Sequence, residues 1–347
     1  MSSSNRKSEG HSDGEQGRPP WQDRRAAAVK RWRTALFTLL ASLAVLSPGA
    51  AVARPGAGDA ALAPLLQQKL KDSISAVERS VDGVFGVVVV DLQTGQRAVW
   101  NPDAVFPVAS AIKLPILIEL FRQSQQAEQG TAGLSRLGDS YTPRAEDIIA
   151  DSNILAGLSV GTSRLTNRDL ATFMVVVSDN GATNVLIDRL GMQPINSLLT
   201  RLGLGHTRLR RKMLDAEAVR RGQENTSTPA ELAELWERLY RGQLLSPTYT
   251  ADVLRLLSLH KEGYLSAELP EGVRLASKPG SLDGARTDAG VIWAGRKQER
   301  PFIVTAMVAY ARDGRAAEAA IAHVAAAAYG YFTRLADSTS YGRGIPD

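Results

Sequence analysis

The chain has 347 residues, 44% of them apolar, with 41 basic against 36 acidic side chains and a formal charge of +5. That length and balance suit one large globular domain or two small ones, and exclude a fibrous or wholly disordered chain. Cysteine is absent, which excludes disulfides, cysteine-ligated metal and a lipidated cysteine.

Residues 1–33 are polar and end in two basic groups, Arg24-Arg25 and Lys30-Arg-Trp-Arg33. An uncharged apolar run follows from Ala35 to Leu46, then Ser47-Pro-Gly49 and Ala51-Val-Ala53. Basic segment, apolar core and Ala-x-Ala compose a secretory signal, with cleavage expected after Ala53 and a secreted or periplasmic product. The apolar core is short for a membrane span, so no stable span is expected after cleavage. A retained anchor, or a true start near Val29, is the alternative reading. Without the eight basic and four acidic residues of positions 1–53, the remainder carries 33 and 32, a net of +1. No basic stripe interleaved with aromatics remains, so nucleic acid is excluded as a partner.

Leu62, Leu65, Leu66, Leu70, Ile74 and Val77 recur near helical spacing and predict an amphipathic helix over 61–79. Val84–Val90 is a β-branched run, and Asp91-Leu-Gln-Thr-Gly95 before Arg97–Trp100 makes it the first arm of a hairpin. The middle, about 108–260, is helix-rich, with helices expected over 110–124, 166–177, 182–190, 194–202, 228–241 and 247–258. Strand patterns return at 273–278, 287–295 and 301–311, followed by an Ala-rich helix over 315–335 and a loose polar tail over 336–347. Two early strands, three late strands and terminal helices imply an α+β fold. One antiparallel five-stranded sheet is built from both chain ends, with an all-helical lobe inserted between. Residues 54–335 would form this domain.

Ser110-Ala-Ile-Lys113 opens the apolar helix 110–124. A serine hydroxyl needs a neighbouring base to become a nucleophile. Three residues of helix bring the Lys113 amine to the same face as Ser110. A helix N-terminus also directs N–H groups at developing negative charge. Leu114–Ile118 make this helix apolar nearly all round and therefore buried, and a buried lysine needs a partner or a lowered pKa. Ser178-Asp-Asn180 follows the helix 166–177, and Lys278-Pro-Gly280 ends a strand. The four histidines, His11, His206, His260 and His323, show no metal-ligand spacing.

The order Ser-x-x-Lys, Ser-Asp-Asn, Lys-[Thr/Ser]-Gly is that of class A β-lactamases and penicillin-binding proteins, and this chain resembles that serine hydrolase superfamily. Thr166-Asn-Arg-Asp-Leu170, Ser178–Asn184, Thr228-Pro-Ala-Glu-Leu232 and Gly280–Gly290 extend the resemblance over about residues 60–335. It implies the β-lactamase/transpeptidase-like fold, with a cleft that gathers Ser110, Ser178 and Lys278. It also implies Ser110 as acylated nucleophile, Lys113 as its proton acceptor and Ser178 as the group passing a proton to the leaving nitrogen. Asn180 would bind the substrate's acylamido carbonyl. Lys278 would hold positive potential at the site and steer a substrate carboxylate; on the same strand lie Gly280 and Ser281, and the backbone N–H groups of Ser110 and Ser281 would form the oxyanion hole. No cofactor or metal is implied. The expected partner is a small β-lactam or peptidoglycan-like amide or ester, and the expected state a monomer.

Two positions depart from the pattern. Pro279 supplies neither the hydroxyl nor the N–H of the usual Thr or Ser, so a substrate carboxylate would need Ser281 or Arg286 instead. The glutamate that activates the deacylating water in class A enzymes falls at Lys212 or Met213; Asp215 and Glu217 are the nearby carboxylates. The residues therefore support acylation more strongly than deacylation. A D,D-peptidase or esterase of penicillin-binding type is the second reading, a non-enzymatic binding module the third.

Overall fold

The computed structural model describes residues 59–346, so the secretory-signal reading of residues 1–53 lies outside the described residues. The sheet is the one expected. Strands β1 (Val84–Asp91), β2 (Arg97–Trp100), β7 (Leu275–Leu282), β8 (Ala285–Ala294) and β9 (Arg300–Ala309) pair antiparallel in the order β2-β1-β9-β8-β7. Seven of the eight β1 residues are buried, which accounts for a run of valines in place of an alternating pattern: both sheet faces are covered.

One face packs on the terminal helices α1 (Asp59–Ser80) and α9 (Gly314–Ala336), where Phe85, Val87, Phe302 and Val304 meet Ile74, Ile321, Ala325 and Phe332. Small side chains along α9 let its backbone lie close to the strands. In α1 the apolar stripe is used only in part. Leu70 and Ile74 are buried, whereas Leu62 and Leu65 stay exposed.

The other face carries the helical lobe. A 3₁₀ turn (Ala109–Ile112) leads into α2 (Lys113–Glu128), and Lys113 through Phe121 are all buried, as an all-round apolar helix requires. Around it lie α3 (Asn167–Val176), α4 (Asn180–Leu190), α5 (Met192–Arg201), α7 (Pro229–Tyr240) and α8 (Pro247–Leu257), with a short α6 (Ala216–Arg220). Their starts are set locally. Thr166, Asp179, Thr228 and Ser246 accept backbone N–H groups as N-caps, and α7 and α8 begin on proline.

Three details differ from the sequence expectation. The helix expected from residue 110 starts as a tighter 3₁₀ turn, with Ala109 held at φ +49°. Two short ladders, β3 (Phe106–Pro107) with β6 (Thr226–Ser227) and β4 (Ser140–Tyr141) with β5 (Leu165–Thr166), were not expected, because two-residue strands carry no periodicity. The polar tail is not wholly loose: Ser338 bridges Gly344, and Arg296 donates to the carbonyl of Ile345. Among the described residues no helix is long and apolar enough to cross a membrane.

Candidate active site

Ser110 sits in the 3₁₀ turn directly below the edge strand β7. The approach is so close that a Cβ on Gly280 would stand 2.6 Å from the Ser110 nitrogen and 2.9 Å from that of Ala111. Glycine is therefore a packing requirement here. Its absent side chain lets the β7 backbone run against the turn that carries Ser110.

Lys113, one turn on, is completely buried. Its Nζ donates to the Ser178 carbonyl at 2.7 Å, to Ser178 Oγ at 2.9 Å and to Asn180 Oδ1 at 2.9 Å. Burial, reinforced by the like charge of Lys278, holds its pKa well below that of a free lysine, against the pull of Asp179 and Asp151. Burial thus makes the Lys113 ammonium give up its proton more readily than a free lysine would. The sequence pairs Lys113 with Ser110; the structure adds the Ser178–Asn180 partners as its hydrogen-bonding shell.

Ser178 stands between α3 and α4 with φ +55°, an uncommon conformation for a residue with a Cβ. Asp179 holds it there. This fully buried carboxylate caps α4 through Ala182 N and accepts the N–H groups of Ile154 and Leu155, each at 2.9 Å. Gly181 packs on the same loop, where a Cβ would meet the Asp147 carbonyl at 2.3 Å. The result is a rigid corner that turns Ser178 Oγ toward both lysines.

Lys278 Nζ completes the group, donating to Ser178 Oγ at 3.2 Å and to the Pro279 carbonyl at 2.9 Å. Burial drops its pKa to about 7, with Asp288 opposing the fall and Lys261 adding to it. Ser178 Oγ is therefore a hydroxyl shared by two buried amines. Asn180 uses its Oδ1 on Lys113, which leaves its amide N–H₂ as a donor. Among the described residues no cluster of three or more His, Asp or Glu side chains could hold a metal ion.

Other sequence candidates fall elsewhere. Arg286 pairs across β9 with Val308, on the terminal-helix face of the sheet, and its Nε binds Glu318 of α9 at 2.7 Å while Nη1 donates to the Leu282 and Ala285 carbonyls. It is not turned toward Ser110, so the suggestion that it replaces the missing Pro279 hydroxyl is corrected. Glu217 is exposed and forms a helix-surface pair with Arg221 at 2.7 Å. Asp215 caps α6 by accepting Ala218 N at 2.9 Å. Met213 is clasped by Asn184, whose side chain bonds its N–H at 2.8 Å and its carbonyl at 3.1 Å, and Lys212 is paired with Asp188. Sequence reasoning missed Asp288, a buried carboxylate opposite Pro279 in the β7–β8 register, and Tyr264, whose phenol meets the Ser281 hydroxyl. β8 is buried along almost its whole length, so no alternation in the sequence singled out Asp288.

A model described as the β-lactamase enzyme family matches residues 68–332. The chain belongs to the β-lactamase enzyme family. Beta-lactamase L2 of Stenotrophomonas maltophilia is 28% identical over 63% of this chain and 71% of its own length. An ancestral class A β-lactamase superposes with a TM-score of 0.67 at 28% identity, covering 74% of this chain and 98% of that one. A structure titled PBP-A gives 0.66 at 27% identity, covering 77% of this chain and 96% of that one. The α+β architecture and the class A β-lactamase-like, serine hydrolase character of this family member follow from these likenesses.

Proposed function

We propose that this β-lactamase-family protein opens β-lactams, or related amides and esters, through an acyl-enzyme on Ser110 and releases the acyl group slowly. The observation that carries the reading is the placement of Ser178 Oγ within hydrogen-bond reach of both buried lysines, 2.9 Å from Lys113 and 3.2 Å from Lys278. Ser110 Oγ attacks the carbonyl carbon and its proton passes to the neutral Lys113 amine. The Ser110 and Ser281 N–H groups receive the developing oxyanion; such a donor is worth roughly 3 kcal/mol. The proton then moves through Ser178 Oγ to the leaving nitrogen, the C–N bond breaks, and an ester on Ser110 remains. Asn180 orients the substrate from its amide group.

Hydrolysis of that ester needs a base for water. Lys212 is tied to Asp188, Met213 to Asn184, Asp215 to its cap and Glu217 to Arg221. These occupations support slow deacylation. They also favour the second reading, a penicillin-binding-type peptidase or esterase, as does the likeness to PBP-A. The test is a chromogenic cephalosporin followed by both absorbance and intact mass. Sustained turnover supports the hydrolase, a persistent adduct the peptidase-like reading, and neither signal overturns both. The protein acts as a monomer outside the cytoplasm; N-terminal sequencing of the exported product should begin at Arg54, and a chain retaining residues 1–53 overturns cleavage.

A further inference from the structure

The loop between β4 and β5 is fastened to the Ser178–Asn180 corner. Asp179 Oδ2 accepts the N–H groups of Ile154 and Leu155, each at 2.9 Å. Ser152 Oγ accepts Gly181 N–H at 3.1 Å, and Asn153 Nδ2 donates to the Val177 carbonyl at 3.1 Å. The fit is close, since a Cβ on Gly181 would stand 2.5 Å from Ser152 Oγ. Asp151 joins the corner through its backbone: its carbonyl accepts Asn180 N–H at 3.2 Å. To do so it holds φ at +56°, a conformation that few residues with a Cβ adopt and that aspartate tolerates.

The Asp151 side chain has no share in this fastening. It is exposed, and among the described residues its carboxylate takes no hydrogen bond and no ion pair. The neighbouring acids are all engaged. Glu146 pairs with Arg144 at 3.0 Å, Asp147 accepts the Tyr141 hydroxyl at 2.6 Å and Arg144 N–H at 2.7 Å, and Asp179 caps α4. An exposed acid is ordinarily no more than a solvated turn residue. Asp151 differs because its own peptide holds the backbone of Asn180, and because its charge reaches the buried Lys113 amine, whose pKa it pulls upward.

We propose that Asp151 is a specificity-determining residue for the acyl half of the substrate, favouring acyl chains that carry an ammonium group. The proposal rests on the acyl-enzyme reading. With the Asn180 amide on the acylamido carbonyl, the chain attached to that carbonyl lies at the end of the site that Asp151 borders. An amine one carbon from the carbonyl is then within the field of a carboxylate that nothing else neutralises. The fastened loop keeps that charge in place before the substrate arrives, so little is lost in ordering it. Exposure to solvent keeps the gain moderate. The favoured substrates are amides and β-lactams with an aminoacyl chain, over the same compounds without the amine.

The test compares acylation of the full protein by ampicillin and by benzylpenicillin, followed as intact mass against time at pH 6. The two differ by one α-amino group on the acyl chain, which is protonated at that pH. What they share, including the carboxylate and the state of both lysines, cancels in the ratio of their rates. Asp151→Asn keeps a residue that tolerates the left-handed backbone and deletes the charge. It should lower the ampicillin-to-benzylpenicillin ratio roughly fivefold, the upper end for an exposed ion pair. Asp151→Lys should lower it further. In the wild type, raising salt from about 20 mM to about 0.5 M should move the ratio toward that of Asp151→Asn, because an exposed charge is screened. A ratio that stays the same in Asp151→Asn overturns the proposal, including one in which both compounds slow equally because the loop has shifted. A wild-type ratio indifferent to salt overturns it as well. Both outcomes leave the acyl-enzyme reading standing. Absence of any adduct with either compound removes that reading and this proposal together.

Discussion

Ser178 Oγ stands between two lysine amines that burial makes easier to neutralise, and the proposed acylation draws on both. Ser110→Ala removes the oxygen proposed to attack and little else. It should abolish covalent labelling by penicillin or fluorophosphonate probes while the melting temperature stays within a few degrees; labelling at the wild-type rate would show that another residue is the nucleophile. Gly280→Ala tests the contact between β7 and the Ser110 turn, where the oxyanion site is proposed. The new methyl would lie 2.6 Å from the Ser110 nitrogen and 2.9 Å from Ala109 Cβ and the Ala111 nitrogen, and backbone atoms cannot rotate away. β7 must retreat, so acylation should slow by roughly 100-fold or more, the cost of losing an oxyanion donor. Overpacking of this kind costs typically 1–3 kcal/mol of stability. Acylation at an undiminished rate would mean that β7 does not form the oxyanion site.

At the scale of elements, the acyl-enzyme proposal puts the lifetime of the acyl group on the segment between α5 and α6. Asn184 of α4 grips the backbone of Met213, and Leu214 follows at φ +59° before Asp215 starts the next helix. The segment is thus positioned, but without a carboxylate free of other duty. Stopped-flow mixing with a chromogenic cephalosporin should give a burst of about one equivalent per protein and then a slow phase. Asp215→Asn and Glu217→Gln should each leave the slow phase within a few-fold of wild type. If either variant lengthens the adduct's lifetime by ~100-fold, the usual size of a general base's contribution, that carboxylate serves the water after all. Rapid turnover with no burst rejects slow release outright. This element was the hardest to read in sequence. Arg211–Ala218 has neither helical nor strand periodicity, and the partners that place it, Asn184 and Asp188, lie more than 20 residues away along the chain.

Over the whole molecule, the buried lysines tie stability to pH. Lys278 falls from 10.5 to about 7 on folding. Its contribution is fully present above 10.5 and is lost as pH falls toward 7, because only the unfolded chain binds the proton in that window. Asp288, raised from 3.8 to about 6, acts with the opposite sign and only below 6. Urea unfolding should therefore show stability rising between pH 7.5 and 9.5, by roughly 1 kcal/mol per pH unit from Lys278. Lys278→Met should flatten that slope. An equally steep slope in the variant would assign the effect to other groups.

Much of this architecture was legible along the chain because it is local. The valine run of β1, the apolar turns of α2, the capped starts of α3, α7 and α8, and the three short motifs are set by neighbours within a few residues, where side-chain period and capping chemistry act. What could not be read there depends on contacts between distant segments. The sheet register sends Arg286 to Glu318 and sets Asp288 behind Pro279. The loop held by Asp179 turns Ser178 back onto Lys113, and Gly280 closes β7 onto Ser110. Burial, which lowers both lysines, exists only once those segments have packed. A residue's type and spacing can mark it for chemistry, but its charge state and its partners are properties of the assembled interior.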